Sequence, residues 1–315
     1  MQSIKKIIML VAGGLIIIGI VIALLAYALV GFKWNAFNTS RALEEKSYTY
    51  NLSEVSSLTI SELDADLIIV GTDDDRIKID CYESENDSYN IQLLGNGNLS
   101  VNRDRYEHWY KQIGFNFNNQ PRTVTVSIPR KFNGDIETST MSGKISMSDF
   151  NGLNAVNSNT ASGDINLKNL IVNNDVSAST ISGNVDLSNI STGKDMNMET
   201  ASGEIQFQQG KTDGNLAVSA VSGALNFSDI TIKGDTSFEN ASGNVDLNKF
   251  AGNRILISTI SGNVLGQMIG DPANYAITAD SISGKIDVPH SGLGENSFDI
   301  STSSGNIDIE FTAAN

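Results

Sequence analysis

The sequence predicts an all-β protein, a parallel right-handed β-solenoid with about 20 residues per coil, preceded by one N-terminal transmembrane helix. Two observations lead to this fold class: a Ser-Gly pair that recurs at a nearly fixed spacing, and a long uncharged apolar run near the N-terminus. Self-similarity at a fixed period is typical of repeat architectures. A run of about 20 apolar residues is long enough to cross a bilayer.

The repeat consists of nine Ser-Gly pairs, whose successive serines are 19 to 22 positions apart. The serines of these pairs are Ser142, Ser162, Ser182, Ser202, Ser222, Ser242, Ser261, Ser283 and Ser304. Apolar residues follow most of them at the third and fifth positions, as in Val185 and Leu187, with polar residues between. This alternation predicts a strand with one buried face. A Gly- or Asn-rich corner and a second strand complete each coil, and stacking buries the shared apolar face.

The residue before each serine alternates between large and small for seven coils, from Met141 and Ala161 to Ile260. We expect bulky side chains to sit over small ones in the stack, as dense packing requires. Ile282 and Ser303 break the alternation, which predicts a looser stack near the C-terminus. Each glycine predicts a corner that needs either a positive φ or close packing without a Cβ atom.

The N-terminal run, residues 7–32, is predicted to be a transmembrane helix. At about 1.5 Å per residue it reaches about 39 Å, more than the ~30 Å hydrocarbon core of a bilayer. Lys5 and Lys6 favour a cytoplasmic tail over residues 1–6. The alternative is a cleaved signal peptide, because Ala26-Tyr27-Ala28 resembles a cleavage site, although the run exceeds the ~7–15 residues of a signal h-region.

Both alternatives export the rest of the chain, so we expect a single-pass protein of the cell membrane. Residues 33–50 are predicted to be a tether, and residues 51–315 an extracytoplasmic β-solenoid with regular coils from about residue 135. We expect irregular coils over residues 48–82 and an interruption over residues 83–120. The C-terminal edge at Ile307, Ile309 and Phe311 is covered either by a partner or by the chain itself.

The composition argues against several classes of protein. The 36 acidic and 21 basic residues give a net charge of −15, which repels nucleic acid. A single cysteine, Cys81, excludes an intramolecular disulfide, and only His108 and His290 are available for a zinc site or a histidine-based triad. We therefore expect no catalytic set, metal or cofactor. Outward acids such as Asp186 and Asp246 alternate with amides, which favours a solvated ladder over a calcium site.

Several segments resemble the bacterial "putative adhesin" domain-of-unknown-function family of membrane-anchored β-solenoid proteins. The resemblance rests on residues 63–69 (LDADLII), residues 126–129 (VSIP) and the recurring Thr-x-Ser-Gly-x-Ile/Val-x-Leu pattern, over residues 50–312. It implies a β-solenoid without a catalytic motif. Some relatives are linked to envelope stress responses, and the resemblance implies that context here.

The segment 103–117 differs from its surroundings because it combines aromatic residues with positive charge. Aromatic faces beside polar groups suit sugar or peptide recognition. We therefore select Arg105, Tyr106, Trp109 and Tyr110 as weak candidates for ligand binding. The structural alternative is an amphipathic loop that covers an end of the solenoid.

The sequence thus predicts a non-enzymatic, membrane-anchored envelope protein that presents a solenoid surface to an envelope protein or a cell-wall or surface glycan. One alternative is a carbohydrate-active enzyme on a β-helix, which requires clustered Asp, Arg or His on one face. A smooth Asn, Ser and Thr face favours the binding protein. A purely structural envelope spacer is the third hypothesis.

Overall fold

The structure is a computed structural model that describes residues 19, 43–84, 87–105, 122–290, 292 and 294–313. The predicted transmembrane segment 7–32, apart from Gly19, lies outside the described residues. Within the described ranges, no helix is long and apolar enough to span a membrane. The chain divides into two units, 1–43 with 105–120 and 44–104 with 121–315, and the second contains the solenoid.

The described residues form two large sheets. Sheet A has 13 strands, in the spatial order β1 (Glu44–Asn51), β4 (Arg76–Glu83), β7 (Thr123–Pro129), β3 (Asp66–Thr72), β9 (Ile145–Leu153), β11 (Ile165–Val172), β13 (Val185–Thr192), β15 (Ile205–Thr212), β17 (Leu225–Ile232), β19 (Val245–Ala251), β21 (Val264–Ile269), β25 (Ile307–Thr312) and β23 (Ile286–Asp287). Sheet B has 12 strands, in the order β22 (Tyr275–Ser283), β24 (Asn296–Ser304), β20 (Arg254–Ser261), β18 (Asp235–Ser242), β16 (Leu216–Ser222), β14 (Met196–Ser202), β12 (Val176–Ser182), β10 (Val156–Thr160), β8 (Asp135–Thr140), β2 (Ser57–Ser61), β6 (Asn98–Arg105) and β5 (Asp87–Leu93). Short 3₁₀ turns cover Leu52–Glu54 and Pro272–Asn274.

Each regular coil contributes one strand to sheet B and the next strand to sheet A. Equivalent strands of successive coils pair in parallel, and each residue lies beside the residue one coil further along. Ile165 thus lies beside Val185, and Val176 lies beside Met196. The alternating apolar residues point inward, and both Ile165 and Leu167 are essentially fully buried. This confirms the predicted parallel β-solenoid, with about nine turns of about 20 residues each.

Two glycines interrupt the inward apolar pattern, and aromatic or aliphatic neighbours fill their places. A Cβ atom on Gly210 would lie 1.9 Å from Cζ of Phe207, whose ring occupies that space. A Cβ atom on Gly266 would lie 2.6 Å from Cδ1 of Ile309 on the adjacent coil. The core therefore stays continuous where the sequence pattern breaks.

The order of the coils in space differs from their order in the sequence at both ends. At the C-terminal end, the coil of β24 and β25 lies between the coil of β20 and β21 and that of β22 and β23. At the N-terminal end, the coil of β2 and β3 lies between that of β6 and β7 and that of β8 and β9. The chain itself therefore covers Ile307 and Ile309, which are buried.

Several local expectations need correction. Residues 98–105, expected within an interruption, form β6 of the solenoid, and residues 44–50 of the expected tether belong to β1. Strand β4 pairs antiparallel with β1 and β7 instead of joining a parallel coil. In β21, Met268 takes the buried position beside Phe250 of β19, because the pairing of these two strands shifts register there.

Candidate functional site

The Ser-Gly corners are held together by close contact between successive coils. A Cβ atom on Gly183 would lie 2.0 Å from the carbonyl oxygen of Gly163, and the same approach recurs along the stack. Close packing is therefore the main reason for glycine here. Thr180, three residues before Gly183, is buried and donates its hydroxyl to the Gly163 carbonyl at 3.0 Å. These corners are a structural device that fixes the spacing of the coils.

Polar side chains form further ladders at the other corners. Asn169 donates to Asp149 at 2.8 Å, and Asn189 donates to Asn169 at 3.0 Å. Each of these residues has a positive φ, a conformation that Asn and Asp adopt more readily than most residues. These Asn and Asp side chains therefore serve the geometry of the corner.

The outward side of sheet B carries an array of mostly polar side chains, which we call the polar face. It consists of two columns, each with one residue from each of the ten strands between β22 and β2. In spatial order, the first column is Thr278, Asp299, Leu256, Ser237, Ala217, Asn197, Ser177, Asn157, Glu137 and Thr59. The second is Asp280, Ser301, Ser258, Glu239, Ser219, Glu199, Ser179, Asn159, Ser139 and Ser61. Thirteen of these twenty residues are Asn, Ser or Thr, five are Asp or Glu, and Leu256 and Ala217 are apolar. The polar face therefore matches in part the smooth Asn, Ser and Thr surface associated above with a binding protein.

A third outward column, which we call the apolar column, borders the polar face beside the Ser-Gly corners. In spatial order it consists of Ile282, Ser303, Ile260, Ala241, Val221, Ala201, Ile181, Ala161, Met141 and Leu63. The large members are well exposed, at 61% for Ile181 and 63% for Ile260. The expected packing of these side chains in the interior is therefore wrong: the alternation of large and small residues lies on the surface.

The outward side of sheet A carries the acids that the sequence analysis considered for calcium. Asp186 has a raised pKa because it is partly buried and because Asp164 and Glu204 lie near it, while Lys144 opposes the shift. Lys144 thus shares this site with the carboxylates. Over the described residues, no group of three or more His, Cys, Asp or Glu side chains is arranged to hold a metal ion.

The N-terminal end contains a buried network of ion pairs centred on Arg103. The guanidinium binds Asp87 with two bonds of 2.7 Å, from Nε and from Nη2. Its Nη1 contacts Glu62 at 3.1 Å and also pairs with Asp64. The side chains of Arg103, Glu62 and Asp87 are 2%, 0% and 4% exposed, respectively. Arg122, just before β7, contacts Asp87 at 2.6 Å.

Glu62 also organises the turn between β2 and β3. One of its carboxylate oxygens accepts the backbone N–H groups of Leu63, Asp64 and Ala65, and the other accepts the hydroxyl of Tyr89. Burial, followed by the nearby Glu62 carboxylate, raises the pKa of Tyr89. Every charge in the network has a partner within the protein, so the arrangement is suited to holding strands together and leaves no group aimed at a substrate.

The sequence analysis missed this network although the alternation indicated it. Arg103 continues the inward series Leu99 and Val101, and Glu62 continues the series Leu58 and Ile60. Because the side-chain period of a strand is two, both charged residues had to point inward. Buried charges are normally paired, so a partner for each was predictable.

Two other groups near this end show raised pKa values. Burial raises the pKa of the Cys81 thiol to about 12, helped by the negative charges of Glu83 and Asp80. Burial and the hydrogen bond to Glu83 raise the pKa of Tyr48 to about 12. A thiol that stays protonated is a poor nucleophile, so Cys81 has the properties of a core residue.

The predicted ligand-binding residues lie at the boundary of the described chain. Arg105 is the last residue of β6, while Tyr106, Trp109 and Tyr110 lie outside the described residues. Their role remains a prediction. Two described residues that flank them in sequence, Arg103 and Arg122, both belong to the ion-pair network.

Comparison with solved structures finds similar chains at low sequence identity. A putative adhesin from Bacteroides fragilis is 14% identical with a TM-score of 0.48, covering 87% of this chain and 99% of that one. A putative lipid binding protein from Parabacteroides distasonis is 12% identical with a TM-score of 0.46, covering 86% and 97%. A putative cell adhesion protein from Clostridium sporogenes is 12% identical with a TM-score of 0.33, covering 86% and 100%.

Comparison with curated proteins gives no significant match. Comparison with family models gives a match that spans most of the solenoid, over residues 55–310, to the family described as Toastrack DUF4097. The matched range includes the inward Leu58 and Ile60 of the first coil and ends within β25. It therefore contains the Ser-Gly corners, the polar face and the ion-pair network. On this evidence the chain belongs to the Toastrack DUF4097 family.

Proposed function

We propose that this protein is a non-enzymatic, membrane-anchored envelope protein whose polar face binds a surface glycan or an envelope protein. The polar face carries the proposal, because Asn, Ser and Thr side chains make up most of its two columns along ten strands of sheet B. Rungs of a sheet repeat at about 4.8 Å, so the two columns present a regular hydrogen-bonding surface to an extended partner. A family resemblance that implies envelope proteins without a catalytic motif supports the same function.

The anchor is part of this proposal. Residues 7–32 would cross the membrane, with residues 1–6 in the cytoplasm and residues 33–315 outside, where the polar face meets the wall. Protease treatment of intact cells that carry a C-terminal epitope tag tests this topology. Loss of the tag without cell lysis supports it, and protection of the tag until lysis contradicts it.

The binding experiment uses the full-length chain in detergent micelles, sedimented with purified cell-wall sacculi and with an envelope protein fraction. The test variant is Asn157→Ala/Asn159→Ala/Asn197→Ala, which removes three amides from the polar face. The matched control is Ser148→Ala/Ser188→Ala/Gln208→Ala on the outward side of sheet A. Because each polar contact contributes about 0.5–1.5 kcal/mol, we expect the test variant to bind at least about tenfold more weakly.

The possible outcomes separate the candidate functions. Retention of the parent and the control, with loss of the test variant, supports the polar face as the binding surface. Loss only in a Trp109→Ala/Tyr110→Ala variant assigns binding to the segment 103–117 instead. Failure of every form to be retained contradicts the binding function and favours an envelope spacer. Release of soluble sugar from the sacculi contradicts the non-enzymatic assignment.

A further inference from the structure

The apolar column exposes large side chains that the solenoid core does not use. Ile181, Val221 and Ile260 are 61%, 59% and 63% exposed, and Ile282 at the C-terminal end is 86% exposed. Single apolar residues scattered over a surface need no explanation, whereas contiguous exposed apolar groups mark sites of interaction. Because this row follows the solenoid axis, it is suited to an extended partner.

The alternation of this column follows the order of the coils in space and not their order in the sequence. In the sequence, Ile282 comes directly after Ile260 in the series, and Ser303 comes last. In space the coil of β24 lies between those of β20 and β22, so Ser303 separates Ile260 from Ile282. The loosening expected at this end rested on a broken alternation and loses its basis, since the alternation continues to the last coil. A pattern kept in space indicates a requirement of the surface.

From Met141 to Ile282, the large members of the column are projections and the small members between them are gaps. Neighbouring projections are two coils apart, or about 9.6 Å. The gaps lie at Ser303, Ala241, Ala201 and Ala161. The gap at Ser303 is part of an open depression of 420 Å³ between Ile260 and Ile282. A partner that fits the column needs apolar side chains that recur at the same spacing.

This spacing distinguishes between the conformations that a bound segment could have. An α-helix repeats along one line every seven residues, or about 10.5 Å, and falls about 2.7 Å out of step between the first gap and the last. A β-strand repeats every second residue, at about 6.6 Å, and does not match. In a polyproline II helix every third side chain recurs at about 9.3 Å, so the mismatch over the same distance is only about 0.9 Å. The column therefore fits a polyproline II helix best.

The charges beside the column favour a basic partner. The polar face and the apolar column together contain five carboxylates and no Lys or Arg. Glu199 and Glu239 lie beside the two middle gaps, because each precedes its alanine, Ala201 or Ala241, by two residues on the outward side of its strand. These two carboxylates are two coils apart, so they repeat with the gaps.

We propose that the apolar column binds a proline-rich, basic segment of another protein in the polyproline II conformation. Every third residue of this segment is apolar and occupies a gap, and a Lys or Arg beside it reaches Glu199 or Glu239. A polyproline II helix makes no internal hydrogen bonds, so its carbonyl groups can accept from Ser179, Ser219 and Ser258, which lie beside projections. The conformation is formed before binding, so little chain entropy is lost. The four prolines of this chain are scattered singly, so the segment belongs to another protein.

The first test measures the binding of a fluorescent peptide to the full-length chain in neutral detergent micelles, by fluorescence anisotropy. The peptide consists of five Leu-Pro-Lys triplets, which together are longer than the about 38 Å from Met141 to Ile282. A residue before Pro is restricted to extended and polyproline II backbone, which favours the required conformation. The control peptide has the same residues in an order without the three-residue period. We expect the periodic peptide to bind at least tenfold more tightly, and equal affinities or no binding would overturn the proposal.

The second test fills the gaps. Ala201→Leu/Ala241→Leu adds apolar surface but leaves no room for the side chains of the peptide, so its affinity should fall at least tenfold. The matched control is Ser188→Leu/Gln208→Leu on the outward side of sheet A, which should bind like the parent chain. Unchanged or tighter binding by the gap-filled variant would contradict the proposal, because a non-specific apolar surface gains from added leucines. Both columns of the polar face stay intact in this variant, so this proposal and the function of the polar face fail separately.

Two smaller changes separate the apolar and the charged contacts. Val221→Ser removes one projection and should weaken peptide binding, while Ile171→Ser, at a 48% exposed apolar residue of sheet A, should not. Glu199→Gln/Glu239→Gln should weaken binding and reduce its dependence on salt, because exposed charges are screened by salt. Equal effects of the two serine variants, or an unchanged salt dependence, would contradict the proposed contacts. Binding to phosphatidylcholine vesicles or to a second copy, without binding of the peptide, would overturn the proposal.

Discussion

The regular middle of the solenoid and its N-terminal end solve the same packing problem with different chemistry. Strand pairing places Arg103, Glu62 and Thr140 in one inward column beside the corner, and the column continues through Thr160 and Thr180. In the middle, a threonine hydroxyl donates to the glycine carbonyl of the preceding coil. At the N-terminal end, a buried guanidinium and two buried carboxylates occupy the same space.

This difference shows how position along a stack changes what a site requires. A middle coil has the same neighbour on both sides, so a short hydroxyl that repeats is sufficient. The first coils instead must bind β4 and β5, which do not follow the parallel repeat, and long charged side chains reach between unlike strands. The network therefore holds together the part of the solenoid where repetition ends.

The largest effect should come from removing the buried guanidinium. Arg103→Met leaves Glu62 buried without its counter-charge and Asp87 paired only with Arg122, which costs about 3–5 kcal/mol. Hydrogen exchange of the β6 amides should report this loss of local stability, while the amides of β16 should change little. The matched control is Arg254→Met, since Arg254 forms an exposed pair with Asp235 and should contribute less than about 1 kcal/mol. Similar effects of the two variants would contradict the comparison.

A smaller effect is expected at a corner of the middle region. Gly183→Ala places a Cβ atom against the carbonyl of Gly163, and the coils must separate, at a cost of about 1–3 kcal/mol. Gly95→Ala is the control, because a Cβ atom there meets no atom within 4 Å. Thermal unfolding followed by circular dichroism should show a lower Tm for the first variant only. An unchanged Tm would mean that the close approach does not limit packing.

The threonine column offers a still finer test. Thr180→Val removes the hydrogen bond to the Gly163 carbonyl with little change of shape, so we expect a loss of about 0.5–1.5 kcal/mol. Thr259 occupies the same position two coils before the C-terminal end, is buried, and its hydroxyl has no hydrogen-bond partner among the described residues. Thr259→Val should therefore be neutral or stabilising. Urea unfolding measures the free energy of unfolding of both variants. Equal losses of this free energy in Thr180→Val and Thr259→Val would contradict the prediction.

The last effect appears only at alkaline pH, at the N-terminal end. The pKa of Cys81 is raised to about 12 in the folded chain, so the unfolded thiol loses its proton first as the pH rises. The stability that Cys81 contributes is complete below about pH 9 and is lost as the pH approaches 12. The free energy of unfolding, measured from pH 8 to 11, should decline less steeply for Cys81→Ala than for the parent chain. Parallel declines would show that the thiol is not responsible.

The sequence pattern predicted the middle of the molecule well because each coil repeats the same local rule. Three and five residues after each serine, the inward positions follow from the two-residue period alone. The swapped coils could not be predicted, since Ser304 and Ser283 carry the same motif and spacing does not say which coil docks first. The position of Ile181 outside the core was missed because large-small alternation suits an interior and a surface equally.

The swap at the C-terminal end has a consequence for the order in which the molecule forms. The coil of β22 and β23 is made before that of β24 and β25, yet it has no place to dock until the later coil has paired with β20 and β21. While the chain is synthesised, residues 275–287 must therefore wait, and the edge of β20 stays open until β24 has emerged. A chain that stops before β24 would display an unpaired strand edge, which is a template for aggregation. Closure of this end of the solenoid thus depends on the later of its two coils.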